Sequence, residues 1–383
     1  MSFSAEVPNS PVIALEPLFV DLDGTLIAGD VTWESLFAAV GKFPWLVFVI
    51  PFWFLQGRGY MKRRVAEHAA IEVRGLPYHP QVVDFCRRRR AQGGEVILAT
   101  ASDRSLARAV AENLGVFTGY FGTDGAKNLK GAAKLARIEE YCRERGATDF
   151  SYVGDAWADV PIWKHCRHVY AVAPPAALVA ALNRAGTAPP EILVQRRPLG
   201  ASLLDALRPQ LWVKNLLLGV PLVLFGGVID GAQIISLLWA MAAVSACASA
   251  IYLIHDLMNL SDDRRLPMGQ RRPLAAGTFP VPYAPPLVIG LLVLSFGIAL
   301  SVLPLSFTAL LAIYFSAGCI YATRLGRIPL VEGLLLPGML MLRVWAGGCA
   351  VGVPAPASAL AACLLIFVAV AFVGRFSPFV RAA

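Results

Sequence analysis

Charge is scarce in this chain. Only 16% of its 383 residues are Asp, Glu, Lys or Arg, whereas a soluble globular chain carries about a quarter. Apolar residues make up 57% and mean hydropathy is +0.60, which excludes intrinsic disorder and argues against a wholly soluble protein. The seven cysteines show no C-x-x-C pair and no metal-binding spacing, so neither a zinc site nor a disulfide framework is readable. They read as reduced, structural thiols. The net charge of +8 does not come from a basic stripe interleaved with aromatics, so nucleic acid is not an expected partner. Residues 1–17 lack a basic run followed by an apolar core, so no signal peptide is expected.

The charge that is present is unevenly placed. Residues 1–207 hold 23 basic and 21 acidic residues; residues 208–383 hold 11 and 5. A nearly balanced, charge-rich front half thus precedes a charge-poor back half. In the front half, short apolar strands (Leu18–Val20, Glu95–Ala99, Tyr152–Val153, Val169–Val172) alternate with helical runs such as 105–114 and 132–145. That alternation predicts an α/β Rossmann-like domain, a parallel sheet with helices on both faces, whose ligands bind beyond the strand carboxyl ends. A small helical cap is expected near residues 30–92, and a proline-rich linker over 176–207.

Within the cap region, Phe43–Leu55 is almost wholly apolar but too short to span a bilayer, which takes about 20 residues. Two readings stay open: a buried hairpin over the sheet, or an interfacial segment with Arg58, Lys62, Arg63 and Arg64 at lipid headgroups.

Beyond the linker come six apolar runs at about 210–229, 233–254, 284–303, 306–323, 329–352 and 357–374, each long enough to span. This predicts an all-α transmembrane bundle over 208–383. Arg264, Arg265, Arg271, Arg272, Arg324 and Arg327 fall in the even-numbered gaps, and Arg375 and Arg381 follow the last run. By the positive-inside rule, the front domain and the chain end face the cytoplasm, as in a multi-pass protein of the inner membrane.

Chemistry-bearing residues cluster at the predicted strand ends. Asp21-Leu22-Asp23-Gly24-Thr25 places two carboxylates on one side of an extended segment, and Gly24 allows a sharp exit. Asp155 and Asp159 follow another strand, Thr100 and Ser102 end a third, and Lys130 offers a cation with Lys127 and Lys134 nearby. Carboxylates, a hydroxyl and a lysine suit Mg²⁺-assisted phosphoryl transfer. In the back half, Asp256, Asn259 and Asp263 share one helix face at the end of the second run, and arginines follow. Such a face could hold Mg²⁺ and a diphosphate, or it could be a wet helix end.

Over residues 17–175 these motifs resemble the haloacid dehalogenase superfamily. The resemblance implies Asp21 as phosphoryl-accepting nucleophile, Asp23 as acid and base, Thr100 and Lys130 as phosphoryl binders, and Mg²⁺ on Asp21, Asp155 and Asp159. Residues 207–375 look like the UbiA superfamily of prenyltransferases, and most like its decaprenyl-phosphate phosphoribosyltransferase branch, through Arg208-Pro209-Gln210-Leu211-Trp212-Val213-Lys214-Asn215 and the run from His255 to Asp263. That resemblance implies Mg²⁺ on Asp256, Asn259 and Asp263. It implies substrate contacts from Lys214, Asn215, Arg271, Arg272, Tyr321, Glu332 and Arg343. The substrates would be a polyprenyl phosphate and a phosphosugar or phosphoribosyl pyrophosphate, within membrane lipid. His255 and Asn259 depart from the family's acidic pattern, and the resemblance ends at the sixth run, short of the family's last helices. A membrane-anchored phosphatase with a degenerate lipid-binding half is the alternative expectation.

Overall fold

The computed structural model describes residues 15–68, 72–124, 129–265, 272–323 and 328–376. The chain divides into two compact units, one within residues 1–31 and 72–197, the other within 32–71 and 198–383.

The first unit begins with β1 (Leu18–Val20). Three helices follow it in sequence, α1 (Val31–Lys42), α2 (Leu46–Leu55) and α3 (Arg58–His68), and from Thr32 onward they belong to the second unit. The first unit resumes with α4 (Pro80–Ala91), β2 (Val96–Asp103), α5 (Arg104–Leu114), β3 (Gly119–Thr123), α6 (Ala132–Arg145), β4 (Ser151–Gly154), α7 (Val160–Trp163), β5 (His168–Val172), α8 (Ala176–Arg184) and β6 (Glu191–Val194). The six strands lie in the order β3-β2-β1-β4-β5-β6, and every pairing is parallel. A parallel sheet covered on both faces demands strands apolar on both sides. Accordingly Leu18, Phe19 and Val20 are all fully buried. Phe19 meets Tyr141 and Phe150 edge to face, within a core that includes Ile97, Ile138, Tyr152 and Trp163.

Two strands escape the sequence pattern. β3 is punctuated by Gly119 and Gly122. β6 lies inside the stretch expected as a linker, between Pro190 and Pro198. Proline is tolerated at the ends of an edge strand, and the stretch expected as a linker holds α8, β6 and α9 (Leu199–Leu207).

The second unit continues from α9 through a 3₁₀ segment (Pro209–Gly219), α10 (Val220–Phe225), α11 (Gly231–Met258), α12 (Leu260–Arg265), α13 (Ala284–Val302), α14 (Leu305–Ala322), α15 (Pro329–Val351) and α16 (Ala357–Phe376). Among the described residues, four helices are long and apolar enough to cross a membrane: Gly231–Met258, Val281–Val302, Leu305–Ala322 and Pro329–Val351. Six spans were expected. The run over 210–229 is not one helix, because Pro209, Gly219, Pro221 and Gly226 break it. Close packing in the bundle rests on small residues. A Cβ on Gly347 would sit 2.0 Å from the Leu218 carbonyl oxygen, so the 3₁₀ segment lies directly against α15.

Residues 32–71 pack on these helices. Ala39, Val40, Leu46, Trp53 and Val65 form a buried cluster that Met258 joins, and Trp33 and Phe37 pack against the cluster holding Leu253 and Leu257. A Cβ on Gly41 would lie 2.4 Å from the Met258 carbonyl oxygen. Glu34, buried, forms a two-pronged ion pair with buried Arg264: Nη2 donates to Oε1 at 2.8 Å and Nη1 donates to Oε2. Of the region expected as a cap, residues 30–31 and 72–92 belong to the sheet-containing unit and residues 32–71 to the helical one.

Candidate active site

The strand carboxyl ends bring together three acidic side chains. One carboxylate oxygen from each of Asp21, Asp155 and Asp159 lies within 4.8 Å of the others, as a single metal ion requires. Asp21 follows β1 directly, and its Oδ1 accepts from the Leu22 N–H at 2.8 Å. Gly24 then turns the chain with φ +74°, and a Cβ there would fall 2.2 Å from Asp155 Oδ2. Only glycine satisfies both the left-handed backbone and the close approach. Asp155 Oδ1 accepts from the Thr25 hydroxyl at 3.2 Å. Asp159 is buried; its Oδ2 accepts from the N–H groups of Asp155 and Ala156, and its Oδ1 from the Tyr152 hydroxyl at 2.8 Å.

Asp23 stands beside this cluster. Its Oδ1 accepts from the Val31 N–H at 2.7 Å and its Oδ2 from the Ser102 hydroxyl at 2.8 Å. Thr100 is fully buried near the end of β2, and its Oγ1 accepts from the Ser102 N–H at 3.0 Å. Ser102 therefore connects the two expected site residues Asp23 and Thr100.

The cation at the site is not the one that spacing favours. Lys130 is exposed, whereas Lys134 is buried, with Nζ 2.9 Å from Asp21 Oδ1 and 3.0 Å from the Tyr152 hydroxyl. The lysine that meets Asp21 lies one helical turn beyond Lys130, the expected phosphoryl binder. The physical reason is the register of α6, whose buried stripe is Lys134, Ile138 and Cys142. A lysine on an i, i+4, i+8 stripe facing the core must meet counter-charge, and this signal was available in the sequence. Tyr152, which joins Lys134 to Asp159, carried no such signal, because an apolar strand residue reads as core.

Charge at this site is unbalanced. Burial pushes the Asp21 carboxyl up to about 7; Lys134 pulls it down, while Asp159 and Asp23 add repulsion. Asp155 is raised well above the usual carboxylate range, by burial first and then by Asp159 and Asp21. Burial works against the charge on Lys134, but Asp21 and Asp159 more than compensate and hold it protonated. Three clustered carboxylates against one ammonium leave a negative excess, which is the donor set and charge that a hard divalent cation suits.

A second polar cluster lies in the helical unit. Asp256, near the end of α11, and Asp263, in α12, are both buried. Arg208 Nη2 donates to Asp256 Oδ2 at 2.5 Å, and Arg272 Nη1 lies 2.7 Å from Asp263 Oδ2 and 3.5 Å from Asp256 Oδ1. Arg272 Nη1 is also 2.9 Å from His255 Nδ1, and because an arginine only donates, that nitrogen accepts. The His255 ring stacks on Tyr321 at 5.6 Å. Asn259 turns its amide NH₂ to the carbonyls of His255 and Ala322. Asp256 and Asp263 therefore meet arginine, and Asn259 meets backbone.

Arg343 is buried within α15. It donates through Nε to Asn215 Oδ1 at 3.0 Å, through Nη2 to the Tyr314 hydroxyl at 2.6 Å and through Nη1 to the Met339 carbonyl at 3.1 Å. Lys214 is exposed and Glu332 is half-buried in the first turn of α15. Arg271 lies outside the described residues. Arg208 and Tyr314 were not among the expected site residues.

Residues 18–164 match the family of haloacid dehalogenase-like hydrolases. The uncharacterized protein y4nM of Sinorhizobium fredii is 33% identical over 332 residues, covering 86% of this chain and 63% of that protein. An alignment of that length necessarily enters both units. The decaprenyl-phosphate phosphoribosyltransferase of Corynebacterium glutamicum is 33% identical over 158 residues, covering 40% of this chain and 48% of that enzyme. The chain spans about half to two thirds of the length of these relatives. A solved protein of unknown function from Bordetella pertussis Tohama I aligns with 47% of this chain and 98% of its own, at TM-score 0.38 and 17% identity. The front of the chain therefore carries a match to haloacid dehalogenase-like hydrolases over residues 18–164, and the C-terminal half is similar to decaprenyl-phosphate phosphoribosyltransferases. With its long apolar helices, the chain is a multi-pass membrane protein.

Proposed function

We propose that this chain is a membrane enzyme that hydrolyses a phosphate ester at the Asp21 site and works with a polyprenyl phosphate and a phosphosugar in its helical half. The observation that carries the hydrolase reading is the convergence of Asp21, Asp155 and Asp159 within 4.8 Å, with Lys134 2.9 Å from Asp21. Mg²⁺, held by these three carboxylates, would neutralise phosphate charge and orient the phosphoryl oxygens. An Asp21 carboxylate oxygen attacks phosphorus as the ester P–O bond breaks, giving an aspartyl-phosphate. Asp23 gives its proton to the leaving oxygen, then takes one from the water that attacks phosphorus and releases inorganic phosphate. Lys134 balances the phosphoryl charge, while Thr100 offers its hydroxyl and Ser102 fixes Asp23. Asp21→Asn abolishes phosphate release from phosphosugars in this scheme; retained release would remove Asp21 as nucleophile.

For the helical half, the reading is transfer of phosphoribose from phosphoribosyl pyrophosphate to a polyprenyl phosphate, supported by its similarity to decaprenyl-phosphate phosphoribosyltransferases, and the front domain would then remove the 5-phosphate. Arg208, Arg272, Lys214 and Arg343 supply cations for the two phosphate groups. The arginine distribution supports a cytoplasmic position for the front domain on an inner membrane. A second reading, a lipid-binding half without transferase activity, is favoured by the arginines on Asp256 and Asp263 and by the backbone-bound Asn259. Purified protein with labelled phosphoribosyl pyrophosphate, polyprenyl phosphate and Mg²⁺ separates the two. Lipid-linked label supports transfer, and its absence from a phosphatase-active preparation leaves the second reading.

A further inference from the structure

Helix α2, LVFVIPFWFL, has no charged residue in ten positions. It buries Leu46 and Trp53 in the cluster with Met258 but leaves one face open. Phe48, Pro51, Phe52 and Leu55 stand at i, i+3, i+4 and i+7 and are all exposed, Phe48 by 76%, Phe52 by 64% and Leu55 by 82%. Trp45 and Val47 are exposed beside them. A contiguous apolar face of this kind marks an interaction site.

Three observations identify what covers it. First, this segment packs with Met258, the last residue of a membrane-length helix of the same unit, so α2 sits at the end of a span. Second, the ten residues are about 15 Å long, half of the roughly 30 Å hydrocarbon layer, so the helix cannot cross. Third, α3 follows at once with Arg58, Lys62, Arg63 and Arg64 against a single acid, Glu67. Arg64 also lies 5.5 Å over the Trp53 ring, at the base of the apolar cluster.

We propose that α2 lies in the bilayer surface as an interfacial helix, with Phe48, Phe52 and Leu55 in the acyl boundary, drawn to anionic headgroups by the net positive charge of the sequence that follows. The stretch that interrupts the hydrolase sequence between Asp23 and Thr100 is then a second membrane attachment, separate from the spans.

The test uses the full chain in phosphatidylcholine vesicles, with and without phosphatidylglycerol. A photoreactive phenylalanine analogue replaces Phe48, Phe52 or Leu55 in turn; Leu46 is the buried control and Val293, 69% exposed on α13, the lipid control. Mass spectrometry identifies the adducts, and melting temperature checks the fold of each variant. The expected result is phospholipid adduct at 48, 52 and 55, about tenfold above that at 46, rising when phosphatidylglycerol is present. Adducts between two copies of the chain would overturn the proposal in favour of a self-interface. No lipid adduct at 48, 52 or 55 while position 293 labels would overturn it in favour of a water-facing helix. Neither outcome bears on phosphate release, so this result and the hydrolase reading stand or fall separately.

Discussion

Exchanging Lys134 and, separately, Lys130 tests the register of α6 directly. Lys134 Nζ is 2.9 Å from Asp21 Oδ1 and 3.9 Å from Asp159 Oδ1, with 3% of the side chain exposed. Coulomb attraction at 2.9 Å is worth about 6 kcal/mol at an effective dielectric of about 20, or about four pKa units on Asp21. Asp21 already sits near 7 with the lysine in place. In Lys134→Met it moves higher, so at neutral pH a protonated acid replaces the nucleophilic carboxylate. The fall in kcat at pH 7 is then roughly 10³-fold, tempered to about 10² where a bound cation shares the burden. Because Asp21 can neutralise itself by taking up a proton, folding stability falls by less than the 3–5 kcal/mol typical of a broken buried pair. The acid limb of the pH–rate profile moves upward. Lys130→Ala, at an exposed position, changes kcat by about twofold at most. The assay is release of inorganic phosphate from a phosphosugar across pH 5–9, with melting temperature to confirm folding. Loss in Lys130→Ala together with a near-normal rate in folded Lys134→Met would refute the charge argument and return the role to Lys130.

Gly24→Ala places a methyl 2.2 Å from Asp155 Oδ2 on a backbone with φ +74°, and we expect it to abolish phosphate release and lower the melting temperature; an active, stable variant would contradict the close approach. In chelator, Asp21 holds its proton up to about 7 when folded but only to the ordinary 3.8 when unfolded, so the folded state binds more protons between these values. Stability therefore decreases as pH rises through that window, and Mg²⁺ reverses the loss; a melting temperature that climbs over the same range without metal would show the sign to be wrong. Glu34→Gln strands buried Arg264 and costs about 3–5 kcal/mol, whereas Glu34→Leu with Arg264→Leu recovers most of it; equal losses in denaturation of the single and double variants would exclude the pair as the cause.

The strand-end carboxylates were legible because a parallel sheet leaves little freedom in where strands end. Asp21 and Asp155 directly follow β1 and β4, neighbouring parallel strands whose carboxyl ends lie together, and Asp159 ends the short turn that follows Asp155. Lys134 was harder, since a loop lysine and a helical lysine four residues apart look alike until the buried stripe through Ile138 and Cys142 fixes the helix phase. β6 was hidden by the prolines at its ends, which punctuate an edge strand as readily as a linker. Hydropathy counted the 210–229 run as a span because it averages side chains and ignores Pro221 and Gly226, which decide the backbone. The partner of residues 32–71 could not be read at all. Nothing local distinguishes an apolar helix packed on a sheet from one packed on Met258, and the pair Glu34–Arg264 joins residues 230 positions apart.

The two acidic clusters use the same residue type under different charge balance, and that difference bears on what each can bind. At the strand carboxyl ends, Asp21, Asp155 and Asp159 share one ammonium; burial, and then mutual repulsion, hold two of them above the usual carboxylate range, and a divalent cation lowers that repulsion. Cation and Lys134 together then leave room for an anionic phosphoryl group. At the end of α11, Asp256 and Asp263 share two guanidiniums, Arg208 and Arg272, so their charge is already met. A cation arriving alone would have to displace an arginine and strand it, which is costly in a buried setting. A phosphate-bearing ligand removes that obstacle, because its oxygens take over the guanidinium donors while its accompanying cation takes the carboxylates. In the proposed transferase, binding of metal and diphosphate at Asp256 and Asp263 is therefore mutually dependent. Metal affinity measured without phosphoribosyl pyrophosphate should be weak there, and that weakness is compatible with catalysis.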